Sequence, residues 1–219
     1  MASPPMAPLS EELQVGHSRE DGPQSGGHPL PANDAQSSRD TARRSKRMKK
    51  SPVERRGSEE VIVDLYAGIG YYTLPFLVHH GAKHVHACEW NDDSVVALRH
   101  NLQANKISPD RCTVHHGDNR QTAPNLENVA HRVNLGLLPS SEEGWPLAIR
   151  ALRSDGGWMH VHENVKDSEV ERWTAMLCRR LEELARERGA SWKATCTHTE
   201  RVKSYAPHIL HVVVDVFLQ

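Results

Sequence analysis

Three short stretches combine acidic side chains with glycine in a way that suits a nucleoside ligand. The first is Asp64-Leu65-Tyr66-Ala67-Gly68-Ile69-Gly70, of the form D-x-x-x-G-x-G. Gly68 and Gly70 let the backbone turn tightly and approach a ligand with no Cβ in the way. Asp64 is placed to receive the amino group of an amino-acid moiety, directly or through water. No third glycine is spaced for a pyrophosphate turn, which speaks against a nicotinamide dinucleotide. The second is Glu89, closing His84-Val85-His86-Ala87-Cys88-Glu89, where a carboxylate can accept from both hydroxyls of a ribose. The third is Gly117-Asp118-Asn119, where a carboxylate can accept from an exocyclic adenine amine. Taken singly, each would serve equally well as a helix cap or a turn. Together, at the ends of three successive strands, they point to one ligand.

A fourth stretch, Asn134-Leu135-Gly136-Leu137-Leu138-Pro139-Ser140, follows the next strand and should face a substrate. Asn134 can hydrogen-bond a base edge, and Pro139 stiffens the turn. Asn134 is the sole catalytic candidate, and no residue stands out as a general base. The histidine pairs His84/His86 and His160/His162 share strand faces at i, i+2, but with 15 histidines in the chain coincidence explains them. No metal is expected. Trp173, Met176, Leu177, Leu181 and Leu184 recur at helical spacing and read as core, with Arg179, Arg180, Arg186 and Arg188 on the wet face.

The elements that must position these residues alternate. Apolar runs predict strands at 61–68, 84–89, 112–118, 132–139 and 156–165. Helices are expected between them at 71–81, 91–106, 142–153 and 168–189, the second opened by an Asn or Asp cap and the last stopped by Gly189. Strands at 192–202 and 209–218 then follow one another with no helix between. Alternation predicts a parallel, doubly wound sheet. The closing antiparallel hairpin makes it an α/β sheet of seven strands, Rossmann-like, of the class I S-adenosylmethionine-dependent methyltransferase kind.

That sheet occupies residues 58–219. Residues 1–57, rich in Ser, Pro, Gly, Asp and Arg, lack apolar periodicity and are expected to be disordered. The basic cluster Arg43 to Lys50 within them reads as a solvated tail, a nuclear-localisation signal or an arm for RNA phosphates. Lys+Arg number 27 against 28 Asp+Glu, so bulk charge does not announce a nucleic-acid partner. Cys88, Cys112, Cys178 and Cys196 show no CxxC pairing and are expected to be reduced, mostly buried thiols. No apolar run is long enough to cross a bilayer and the N-terminus lacks a secretory core, so a cytoplasmic location is expected, with a nuclear one open.

Asp64-Leu65-Tyr66-Ala67-Gly68-Ile69-Gly70-Tyr71-Tyr72-Thr73-Leu74-Pro75, Cys88-Glu89-Trp90-Asn91, His116-Gly117-Asp118-Asn119-Arg120 and Asn134 to Ser140 together resemble the catalytic domain of the tRNA wybutosine-synthesising protein 2 family. The resemblance runs from about Val61 to the C-terminus. Its most diagnostic piece is Asn134 to Ser140, where the sister guanosine-37 methyltransferases usually have a shorter Asn-Leu-Pro. The resemblance implies transfer of the 3-amino-3-carboxypropyl group of S-adenosylmethionine to C7 of 4-demethylwyosine at position 37 of phenylalanine tRNA, with methylthioadenosine released. It implies Glu89 at the ribose, Asp118 and Asn119 at the adenine, and Asp64, Gly68 and Gly70 at the methionine end, with the tRNA anticodon loop as partner. Family members also carry an upstream RNA-binding region and a cofactor-contacting Phe-Ser-x-Gly-Asn segment. Before Val61 this chain reads Arg55-Arg56-Gly57-Ser58-Glu59-Glu60 instead, so a shortened form is expected. Two alternatives stay open: methylation of guanosine 37, and a catalytically silent cofactor-binding module.

Overall fold

The computed structural model describes residues 57–123 and 125–219. The expected disordered tail, up to residue 56, and the basic cluster at 43–50 lie outside the described residues.

Seven strands form one sheet: β1 (Val61–Asp64), β2 (His84–Glu89), β3 (Cys112–His116), β4 (Arg132–Leu135), β5 (Gly157–Lys166), β6 (Ala194–Ala206) and β7 (Ile209–Leu218). Their order is β3-β2-β1-β4-β5-β7-β6. β1 to β5 run parallel, and β7 lies antiparallel to both β5 and β6. This is the expected class I methyltransferase sheet, closing hairpin included. The strand order reverses between β1 and β4, and an open α/β sheet binds its ligand at the carboxyl edge beside such a switch.

Among the described residues the helices are α1 (Thr73–Val78), α2 (Asp92–Ala104), α3 (Asn119–Thr122), α4 (Trp145–Ala151) and α5 (Val170–Glu187). Asn91 caps α2 by accepting the Ser94 N–H, and Asp92 and Asp93 complement the helix dipole in its first turn. α5 buries Leu177, Leu181 and Leu184 at helical spacing, as its sequence predicts, while Trp173 and Met176 are half-buried against the same core. Gly189, at φ 89°, ends it.

Several elements differ from expectation, β1 among them, which stops at Asp64 rather than Gly68. α3 was not anticipated, because one turn of helix held by the Asp118 cap leaves no periodic signal. β4 stops at Leu135 rather than Pro139, and Glu142–Gly144 is a 3-10 turn ahead of α4. β6 runs on to Ala206, past the expected Val202, with register shifts at Cys196/His198, Arg201/Lys203 and Ser204/Ala206. An edge strand paired only through its backbone shows no apolar alternation to mark its length.

One large apolar cluster joins β4, β5 and β7 to α4 and α5. Two small ones lie between β1 and β2 and helices α1 and α2. All four cysteines are free, and of these Cys88 alone is fully buried. No described helix is long and apolar enough to cross a membrane.

Candidate nucleoside-binding cleft

The loops after β1, β2, β3 and β4 meet at the carboxyl edge of the sheet. Backbone bonds lock them together: Leu65 N–H donates to Asn134 O at 3.0 Å, Ala67 N–H to Cys88 O at 2.9 Å and Gly117 N–H to Glu89 O at 2.9 Å. Between them opens a cleft of about 390 Å³, lined by Leu65, Tyr66, Glu89, Trp90, Gly117, Asp118, Asn119, Arg120, Leu137 and Glu143 among others.

Glu89 is nearly buried and takes three backbone donors. Gly68 N–H donates to its Oε2 at 2.8 Å, and Trp90 and Asn91 N–H donate to its Oε1 at 3.0 and 2.8 Å. With about four lone-pair positions on a carboxylate, one remains on Oε2. That suits a single strong ribose contact rather than an equal pair. Asp118 caps α3 by accepting the Arg120 N–H, and the Arg120 guanidinium grips the same carboxylate at 2.6 Å. That hydrogen bond holds the Asp118 carboxyl below its ordinary range. Asn119 lines the cleft but turns its amide to Leu65 O, donating at 2.9 Å. Its side chain therefore braces the cleft wall.

Asp64, Gly68, Gly70 and Asn134 do not line the cleft. Asp64 is fully buried beneath it, accepting from Thr73 Oγ1 at 2.8 Å and from Asn134 Nδ2 at 3.0 Å. Burial raises its carboxyl pKa. Each oxygen accepts one of these side-chain donors, which gives Asp64 a positioning role within the fold. Asp64 fixes the start of α1 and the end of β4. Asn134 keeps its Oδ1 buried and without a partner, an unmet acceptor at the sheet edge. Gly70 is where glycine is required: φ is 103°, and an added Cβ would lie 3.0 Å from Leu98 Cδ1.

Sequence reasoning missed Tyr66, Trp90, Leu137, Arg120 and Glu143. Trp90 and Leu137 are 73% and 41% exposed, yet both flank the cleft and offer apolar surface to a planar ring. An exposed aromatic directly after a strand-ending acid was the available signal for Trp90. Gly117, at φ 129°, leaves the opposite wall without a Cβ. Acceptors at Glu89 and Asp118, two apolar flanks and a bare backbone wall fit an adenosine moiety.

A family model described as the TRM5/TYW2 methyltransferase domain matches residues 35–192. The chain belongs to this family. A TRM5/TYW2 relative from Danio rerio, "tRNA wybutosine-synthesizing protein 2 homolog", is 50% identical over 195 aligned residues, covering 73% of this chain and 46% of the relative. The chain thus spans about half that relative's length. The solved structure of M. jannaschii TYW2 in complex with AdoMet superposes with a TM-score of 0.65 at 31% identity, covering 73% of this chain and 68% of that one. P. horikoshii TYW2 in complex with MeSAdo does so with a TM-score of 0.65 at 28% identity, covering 76% and 60%.

Proposed function

We propose that this chain transfers the 3-amino-3-carboxypropyl group of S-adenosylmethionine to C7 of 4-demethylwyosine at position 37 of phenylalanine tRNA, releasing methylthioadenosine. The observation that carries the reading is the cleft at the carboxyl edge, with Glu89 and Asp118 on adjacent strand ends and the Asn134 loop beside them. The MeSAdo held by the P. horikoshii relative is the nucleoside that remains once the aminocarboxypropyl group has left, whereas methyl transfer would leave S-adenosylhomocysteine.

When bound, S-adenosylmethionine presents three electrophilic carbons on one sulfonium, and the product depends on which is held in line with the nucleophile. The work of this chain is alignment. Glu89 accepts from the ribose, Asp118 from the adenine amine, and Trp90 and Leu137 flank the ring. Asp64 holds Asn134 at the end of β4, and the unmet Asn134 Oδ1 is available to the methionine end or the acceptor base. The anticodon loop of phenylalanine tRNA is the macromolecular partner in this reading, and the cytoplasm its place of action.

Mass spectrometry of the small-molecule product tests the reading. This chain is mixed with S-adenosylmethionine and phenylalanine tRNA bearing 4-demethylwyosine, with a longer relative as positive control. Methylthioadenosine above background supports it, and S-adenosylhomocysteine would replace it with methyl transfer. Neither product, with cofactor bound and the control active, would make the chain a cofactor-binding module.

A further inference from the structure

β5 continues past the end of β4, and its last residues carry polar side chains on the α1 side of the sheet. His162 and Asn164 share that face by strand alternation, and His211 of β7 stands opposite Asn164 in register. His162 Nδ1 and His211 Nε2 lie 3.1 Å apart, sharing one proton between two neutral rings. The rings are 2% and 7% exposed. Their outer nitrogens, His162 Nε2 and His211 Nδ1, have no hydrogen-bond partner, and neither does either amide atom of Asn164. One such buried group is costly, and four in one place form a pattern that a polar ligand would relieve.

Tautomer logic gives the strip a definite character. If His162 Nδ1 donates to His211, then His162 Nε2 is a bare acceptor and His211 Nδ1 carries a hydrogen. If the proton sits on His211 Nε2, the roles exchange. Either way the pair has one donor and one acceptor left over from its shared hydrogen bond, and the Asn164 amide adds another of each. Such an array matches the edge of a heteroaromatic base and has no formal charge to hold a phosphate. Burial depresses both imidazoles, His162 to about 4, so the pair stays neutral.

The strip adjoins the Asn134 loop. The Tyr72 ring, at the head of α1, meets His162 edge-on with centroids 4.8 Å apart. A Cβ added at Gly136 would come within 3.4 Å of Asn134 Nδ2 and 3.7 Å of that same tyrosine ring. Tyr72 is 37% exposed, and α1 begins with no side-chain cap. Its exposed part offers a flat face for stacking beside His162.

We propose that His162, His211 and Asn164 read the hydrogen-bonding edge of the acceptor base while Tyr72 stacks on its ring. This rests on the reading of the chain as a tRNA-modifying transferase. It assigns base specificity to the β5–β7 side of the edge, opposite the side that holds the nucleoside of the cofactor.

The test is a fluorescence-anisotropy titration of the full chain with labelled phenylalanine anticodon stem-loops, carrying either 4-demethylwyosine or an abasic site at position 37. Wild type should prefer the tricyclic base by at least about tenfold, and His162→Ala and Asn164→Asp should each remove most of that preference. Affinity for S-adenosylmethionine should be unchanged in both. Asn164→Asp swaps amide donors for acceptors at nearly constant shape, so it decides the matter if His162→Ala fails to fold. Equal binding of the two stem-loops by wild type, or an undiminished preference in the variants, would overturn the proposal. The RNA titration runs without cofactor, so failure to bind S-adenosylmethionine would count against the transferase reading and not against the strip.

Discussion

Oε2 of Glu89 accepts the backbone N–H of Gly68 at 2.8 Å, tying the acid that ends β2 to the glycine turn that follows β1. One carboxylate thus shapes the loop and offers its remaining lone pair to a ligand. Glu89→Ala should cost both. S-adenosylmethionine affinity should fall by about 1–3 kcal/mol, the range for a lost buried partner, and the melting temperature should fall with it. Calorimetric titration and a thermal melt on the same sample check the pair of effects. A drop in affinity alone would mean that the turn holds without Glu89.

Asp118 differs, because its carboxylate is only half-buried and is occupied by Arg120. Asp118→Ala should weaken S-adenosylmethionine binding roughly tenfold with little change in stability. Arg120→Ala, which releases the carboxylate, should leave affinity equal or higher. Unchanged affinity in Asp118→Ala would remove the adenine assignment.

For Asp64 the effect should be on the fold. Asp64→Ala strands the Thr73 hydroxyl and the Asn134 amide in a fully buried position. Urea unfolding should show a loss of about 2 kcal/mol or more. Unchanged stability would mean that α1 and β4 do not depend on this network.

Glu163, at the far end of β5, gives a pH signature. Its carboxyl is nearly buried beside the Ser140 and Ser141 loop, and burial lifts its pKa to about 7 from 4.5. Between those values the folded protein keeps a proton that the unfolded chain has released. Stability from this group is therefore full below pH 4.5 and declines as pH rises towards 7. His86 and His162, both depressed to about 4, tilt the curve the other way. The difference between wild type and Glu163→Gln, followed by urea midpoints across this window, isolates the Glu163 contribution. A difference that does not vary with pH would show that Glu163 titrates normally.

The sequence made the alternation of strands and helices plain, because parallel strands buried on both faces read as apolar runs. It also marked Glu89 and Asp118, whose positions at strand ends follow from the same pattern. Asp64 was placed correctly at the end of β1, but its positioning role was not legible, since nothing local announces that Thr73 and Asn134 will donate to its two oxygens. Trp90, Leu137 and Glu143 come from three separate loops and become a wall only once the sheet brings those loops together. The His162–His211 pair depends on the antiparallel register of β5 and β7, which residue spacing alone does not set.

β4, β5 and β7 share one large apolar cluster with α4 and α5, while β2 and β3 rest on two small ones, and β3 has no fully buried residue. Amide hydrogen exchange should therefore run faster along β3 than along β5 and β7. Glu89 and Asp118 stand at the ends of β2 and β3. A nucleoside bound between them would tie these two strand ends together, and occupancy would be recorded as slowed exchange along β2 and β3.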